Sequence, residues 1–430
     1  MATALETKRF CVKIPPKKIT SFQSVRSKKG VPEGATSVTI KKLPRFVACG
    51  IYITRQSALL QAGDKFMAIT TEAIKEALSG LIDPVVGVDY VSGKMFKSAE
   101  TDAEGNVTLN IELGYPARTY AESVGETIGL AVKNHTGAKT VNVNITQNII
   151  AHKVQGTLRV LPNVKNIIAV SSGKGGVGKS TVSANLALAL AYEGASVGVL
   201  DADIYGPSQP QMLGAASGKP VSTDGKTMEP ITSLGLQINS IGFMVGDDEP
   251  MIWRGPMASG ALQQLIQQTN WQELDYLIVD MPPGTGDIQL TLSQQVPLTG
   301  AVVVTTPQDI ALIDAKKGLR MFQKVNVPIL GVVENMSVFI CPHCGEVEHI
   351  FGEGGAKSMC EKYGTPLLGE LPLSAKIREQ ADNGLPTVAA DPESPEAKIY
   401  RDVAMKVAGS VAKLGKDYSA KMPGIKVVHD

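Results

Sequence analysis

Long apolar runs are missing from this chain: none reaches the roughly 18 residues that a helix needs to cross a bilayer, which argues against a helical membrane span. Cysteine is scarce, with five in 430 residues. That excludes a disulfide scaffold and points to a reducing compartment, with the cytoplasm as the expected location. No continuous apolar segment follows the first basic residues, so a secretory signal is not read there. No internal repeat or low-complexity tract interrupts the sequence. What is present is ordinary globular composition, 43% hydrophobic and 19% charged. The length exceeds one average domain, so two or three are expected.

A net charge of +1 hides an asymmetry, because residues 1–66 carry 13 Lys and Arg against 3 Asp and Glu. Three readings of this basic extension stay open. It is an organelle transit peptide, a basic arm for anionic surfaces, or non-native upstream sequence ahead of a start at Met67. The last is favoured, because helix-like patterning begins directly after Met67. The extension is expected to be disordered or non-native, and no function is assigned to it. Neither nucleic acid nor membrane is expected as a partner.

Residues 67–150 read as a small α+β domain. Ile74, Ala77, Leu78 and Leu81 share one helical face, with Thr70 or Thr71 as N-cap and Asp83-Pro84 as the stop. Asp102-Ala-Glu-Gly-Asn106 is a turn between two strands, and Val107–Leu113 alternates apolar and polar residues. A helix near Ala121–Asn134 and a strand near Thr140–Ile145 complete the unit. Residues 151–163 read as a linker. From 164 to 415 strands and helices alternate, predicting a parallel sheet covered on both faces, with ligands at the carboxyl ends of its strands. Residues 416–430 form a tail.

The strand around Asn166–Val170 runs into Gly173-Lys174-Gly175-Gly176-Val177-Gly178-Lys179-Ser180, and Thr181–Tyr192 reads as a helix. The glycines let successive backbone N–H groups face phosphates, the helix adds its positive dipole end, Lys179 supplies a fixed cation and Ser180 a Mg²⁺ ligand. A nucleoside triphosphatase follows. Two carboxylates, Asp201 and Asp203, leave the next strand. One suits metal-bound water and the other the attacking water. Tyr276–Val279 ends in Asp280, an apolar strand followed by an acid in the manner of a Walker B site, and Gly284 follows as a candidate phosphate contact. Asn335 offers a donor and an acceptor of the kind adenine requires. Cys341-Pro-His-Cys344 converges two thiols, whereas a zinc site or an iron–sulfur cluster wants four ligands. A redox pair, an intrachain zinc site using His349 or Cys360, and a metal bridge between two chains all stay open. Residues 396–414 carry apolar positions at helical spacing, read as a helix packed on the sheet rather than on a membrane.

With Lys174 beside the loop, the sequence resembles deviant Walker A dimeric ATPases, in which a second lysine reaches the partner subunit's phosphates. More specifically, residues 67 to about 415 resemble the Mrp/ApbC group of iron–sulfur cluster carrier ATPases. Ser172–Ser180, Leu200–Pro210, Trp253-Arg-Gly-Pro256, Ile278–Leu290, Thr305–Asp309, Glu334-Asn-Met336, Cys341–Cys344 and Phe351–Gly355 carry the match. Ile82-Asp-Pro84 and Gly114-Tyr-Pro116 resemble the MIP18-type domain of cluster-assembly proteins. The cysteine that many members carry near the second motif is absent, so the domain is read as a docking or dimerisation module.

The resemblance implies an α/β fold in which a parallel-sheet P-loop NTPase domain follows the small domain. It implies slow ATP hydrolysis with Lys174, Lys179 and Asp203 as catalytic residues. Gly173, Lys174, Gly175, Gly176, Val177, Gly178, Lys179, Ser180, Thr181, Gly284 and Asn335 would bind nucleotide, and Ser180, Asp201 and Asp280 would serve Mg²⁺. Asp287 would link the Gly284 loop to the Asp203 loop. A [4Fe–4S] cluster on Cys341 and Cys344 of each subunit of a homodimer would pass to apo-proteins, with cluster scaffold proteins as further partners. The rivals are a ParA/MinD-like positioning ATPase and a zinc-bridged dimeric ATPase.

Overall fold

The computed structural model describes residues 69–155, 158, 160–244 and 255–416. The basic extension 1–66, the tail after Lys416 and Trp253-Arg254 lie outside them. The small domain runs α1 (Thr71–Ser79), β1 (Phe96–Thr101), β2 (Asn106–Leu113), α2 (Ala121–Thr136) and β3 (Thr140–Gln147), and its sheet has the order β1-β2-β3. β2 alternates as expected, burying Val107, Leu109, Ile111 and Leu113. The Thr70 hydroxyl caps α1 by accepting from Ala73 N at 3.2 Å. That helix ends at Gly80, ahead of the expected stop at Asp83-Pro84. Asp83 instead organises the following turn: its fully buried carboxylate accepts from Val85 N, Val86 N and the Tyr115 hydroxyl at 3.0, 2.7 and 2.6 Å.

The larger domain runs β4 (Val164–Ser172), α3 (Lys179–Tyr192), β5 (Val197–Asp201), α4 (Gln209–Met212), β6 (Ile231–Ser233), β7 (Leu236–Ser240), α5 (Gly255–Gln268), β8 (Leu274–Asp280) and α6 (Asp287–Gln295). There follow β9 (Gly300–Thr305), α7 (Asp309–Lys324), β10 (Ile329–Ile340), β11 (Val347–Glu348), α8 (Gly355–Tyr363), β12 (Leu367–Leu373), α9 (Ala375–Asp382), α10 (Thr387–Ala390) and α11 (Pro395–Ala412). The nine-stranded sheet has the order β11-β10-β9-β4-β8-β5-β7-β6, with β12 also paired to β10. Within this sheet, among the described residues, only the β6–β7 and β10–β11 pairs are antiparallel.

β4 explains the centre of the sheet. Seven successive residues, Asn166–Ser172, are buried, as a strand covered on both faces requires. α3 behind it is buried nearly all round, which its run of alanine and leucine permits. α11 buries Tyr400, Val403, Val407 and Val411 against the rest of the fold, the packed arrangement expected for it. It also meets the small domain: a Cβ at Gly409 would come within 2.4 Å of the Val85 carbonyl oxygen, so only glycine admits this approach. One hydrophobic core therefore runs from the small sheet to α11 and α3. Among the described residues no helix is long and apolar enough to cross a membrane.

One expectation fails in an informative way. The strand expected to end at Glu334 continues to Ile340, through an irregularity at Met336, whose φ is +56°. β9 gives out opposite Glu334, but β12 keeps pairing on the other edge, with a register shift between Glu334 and Val338. The Asn335-Met-Ser stretch is thus a bulge within a strand rather than its end.

Candidate nucleotide and cysteine sites

Gly173 to Gly178 connect β4 to α3 at the carboxyl edge of the sheet, where the sequence placed a phosphate loop. Gly173 is required by crowding, since a Cβ there would lie 2.2 Å from the Asp314 carbonyl carbon in α7. Gly178 is required by conformation, with φ at +80°. Gly175 and Gly176 are exposed, Val177 is buried and Thr181 is half-buried in the first turn of α3.

Lys179 is 6% exposed, and its ammonium is the hub of the site. It donates to Asp280 Oδ1 at 2.7 Å and to Ser180 Oγ at 3.1 Å, with Asp203 Oδ2 at 3.7 Å. Fully buried Asp280 also accepts from Ser183 Oγ at 2.8 Å and Gln209 Nε2 at 2.9 Å. Asp201 is equally buried. It accepts from Asp203 N, Ser208 N, Gln209 N and the Ser240 hydroxyl at 2.9 to 3.2 Å, so its oxygens organise the loop that carries Asp203. Burial, and then the neighbouring Asp280 carboxylate, push Asp201 up to about 7. Burial likewise raises Asp203, with Lys179 opposing it.

Two carboxylates, Asp203 and Asp280, thus face one ammonium, and the excess negative charge favours a further cation. A hydroxyl and carboxylates are hard oxygen donors that fit Mg²⁺, and the lysine ammonium already stands among them as a cation. Ser180, Asp203 and Asp280 are the groups positioned to serve it. Asp201, also expected there, has its oxygens engaged by the backbone of the loop that carries Asp203.

Lys174 donates to Gln308 Oε1 at 3.3 Å from a half-buried position. Gly284 has φ +99°, and its N–H donates to Ser172 O at 3.0 Å, a bond that must open before this N–H can meet a phosphate. Asn335 Nδ2 donates to Val177 O at 2.9 Å, which braces the loop while leaving the second N–H and Oδ1 for a ligand. A cavity of about 180 Å³ beside it is lined by Gly178, Thr181, Asn335, Pro372, Ser374 and Arg378. Sequence reasoning missed Ser183, Gln209, Pro372, Ser374 and Arg378. Only Ser183 carried a signal, one helical turn after Lys179.

Cys341 and Cys344 sit at the tip of the β10–β11 hairpin, held by Cys341 N donating to Glu346 O and Gly345 N donating to Cys341 O, both at 2.9 Å. Cys341 is half-exposed and Cys344 exposed. Backbone N–H groups of Cys344 and then His343 draw the Cys341 thiol below its ordinary value, the direction that favours a ligating thiolate. Cys360 lies buried in α8, and desolvation pushes its thiol up to about 11. Among the described residues no group of three or more His, Cys, Asp and Glu side chains could hold a metal, so the intrachain zinc alternative finds no ligand set. A hairpin tip also differs from the helix start of a redox pair.

A parallel sheet whose central strand delivers a glycine-rich loop to a helix, with a buried lysine facing a strand-end aspartate, defines a P-loop nucleoside triphosphatase. Residues 163–408 match the family of the NUBPL iron-transfer P-loop NTPase, and residues 71–145 match the domain of iron–sulfur cluster assembly proteins. The chain belongs to that NUBPL iron-transfer P-loop NTPase family, as expected from the resemblance. It is similar to the iron–sulfur cluster carrier protein of Escherichia coli, 58% identical over 306 residues, 71% of this chain and 83% of that one. The iron–sulfur cluster carrier protein of Haemophilus influenzae is 50% identical over 346 residues, 80% of this chain and 93% of that one. The iron–sulfur cluster transfer protein NUBPL of Dictyostelium discoideum is 50% identical over 264 residues, 61% of this chain and 82% of that one.

Proposed function

We propose that the chain hydrolyses ATP with Mg²⁺ and carries a [4Fe–4S] cluster as cargo, held by Cys341 and Cys344 together with the same pair from a second copy, for delivery to apo-proteins. The observation that carries this reading is the pair of thiols presented at a hairpin tip. Two ligands with no third nearby among the described residues suit a cluster that needs four and must be released again. The names of the relatives support the cargo.

At the nucleotide, N–H groups of residues 173–180 would cradle the phosphates, and Lys179 would exchange Asp280 for phosphate oxygens. Asp203 would orient the attacking water, and Asn335 would read the base beside Pro372–Ser374. Mg²⁺, held by Ser180 with Asp280 and Asp203 in support, would neutralise charge developing on the phosphates. Lys174, released from Gln308, would reach the phosphates of the second copy.

The test is iron and sulfide content with the visible spectrum after anaerobic reconstitution. Native protein should absorb broadly near ~400 nm and Cys341→Ala should not. A colourless protein with stoichiometric zinc overturns the cargo. Lys179→Ala should lose phosphate release altogether; unchanged turnover removes the nucleotide assignment.

A further inference from the structure

The cysteine hairpin is tied to the phosphate loop at both of its ends. On the way in, β10 carries Asn335, whose amide donates to the Val177 carbonyl in the loop. The contact is tight, because a Cβ at Gly178 would lie 2.2 Å from Asn335 Nδ2. Six residues on, the same strand has delivered Cys341. On the way out, Gly352 and Gly355 lie against Pro307; a Cβ at Gly355 would be 3.0 Å from the Pro307 carbonyl oxygen. Gln308, the next residue, accepts from Lys174 of the loop.

Glu334 joins the two ends. Its carboxylate is fully buried and accepts from the Ser337 hydroxyl, on the strand entering the hairpin, at 2.9 Å. It also accepts from Ala356 N, in the first turn of the helix leaving it, at 2.8 Å. Burying a carboxylate is costly, and packing alone would be better served by an apolar side chain. Between Glu334 and Ser337 the backbone is irregular: Met336 holds the left-handed conformation at φ +56°, and the register with β12 slips from Glu334 to Val338. A non-glycine residue held there is a place where a strand can take a second arrangement.

We propose that Glu334 is a positioning residue that couples the phosphate loop to the cysteine hairpin within one protomer, so that nucleotide changes the reactivity of Cys341 and Cys344 without a partner subunit. Occupation of the loop engages the remaining amide atoms of Asn335 and shifts the loop against Gln308, and the carboxylate transmits both displacements to the hairpin as one movement. The proposal deepens the carrier reading and rests on it for its purpose, since this movement would set when cargo is released.

The test is alkylation of the metal-free, reduced full chain by iodoacetamide, followed cysteine by cysteine by peptide mass spectrometry, with and without Mg²⁺ and a non-hydrolysable ATP analogue. In native protein the analogue should change the Cys341 or Cys344 rate by about fivefold or more, equally at low and high protein concentration. In Glu334→Gln, with the analogue still saturating and Cys360 still unreactive, the ratio should fall to within about twofold of unity. If Cys360 becomes reactive and reveals a fold defect, Ser337→Ala removes only the strand-side bond and should reduce the ratio at least by half. A native ratio of unity, a ratio that varies with protein concentration, or an unchanged ratio in the folded variant overturns the coupling. A chain that binds iron and sulfide but shows no nucleotide effect keeps the carrier reading and loses this one. The opposite pattern keeps the coupling and loses the cargo.

Discussion

Replacing Glu193 with Ala should loosen the small domain from the far end of α3, the helix whose first turn holds Lys179. Glu193 is fully buried and accepts from Thr119 N at 2.9 Å, from Thr119 Oγ1 at 2.7 Å and from Arg401 Nε at 3.2 Å. Its backbone carbonyl takes Arg118 N at 3.0 Å, and the guanidiniums of Arg118 and Arg401 lie 4.8 and 4.7 Å from the Tyr192 ring centre. Removing one member of a buried pair leaves the other charge uncompensated, at about 3–5 kcal/mol. Arg401 keeps Glu393 at 3.0 Å and the Pro392 carbonyl at 3.3 Å, which places the loss at the low end, about 3 kcal/mol. At this chain length that corresponds to a melting temperature lower by roughly 3–4 °C. Undocking should also open the segment around Lys153 to trypsin. The assay is thermal denaturation with timed proteolysis, alongside Arg401→Ala and the double variant. If the two losses add, or if Glu193→Ala costs less than about 0.5 kcal/mol, the pair does not hold the domains together.

Two further outcomes follow from crowding and from charge. Gly173→Ala must displace α7 backbone, so it should cost about 1–3 kcal/mol and weaken nucleotide binding more than tenfold. Gly176→Ala meets nothing within 4 Å and bears only the left-handed penalty of about 1 kcal/mol, and fluorescent-nucleotide titration that ranks the two equally would refute the argument. His152 is buried with Nδ1 2.9 Å from Asn166 Oδ1, and burial depresses it below its ordinary 6.5. A depressed histidine stabilises the fold fully above pH 6.5 and loses that contribution as pH falls through its folded value. The melting temperature of native protein should therefore drop more between about pH 7.5 and 5.5 than that of His152→Gln, and equal drops would exclude the histidine.

What could be read from the sequence was whatever announces itself locally. β4 is a buried apolar run, the loop after it is spelled out by glycine and lysine, and β2 alternates, so strand, phosphate loop and small sheet were all legible within windows of about ten residues. Asn335 marks where this ceases to work. Its neighbours lack a strand pattern, yet the strand continues because β12, nearly forty residues later in the chain, keeps pairing with it. Gln209 reaches Asp280 across 71 residues, Lys174 reaches Gln308 across 134 and Arg401 reaches Glu193 across 208. None of these polar residues has a spacing that distinguishes it from a solvated one. The same holds for Asp201, whose position after a strand suggested a metal ligand, while nothing local announced the backbone donors that a loop turning back on it supplies. Residue types at a strand end therefore gather the oxygens, and tertiary hydrogen bonds tell which of them brace a loop and which face Lys179. By that logic Asp201→Asn should disturb the Asp203 loop before it disturbs metal affinity, whereas Asp280→Asn should act on Lys179 directly.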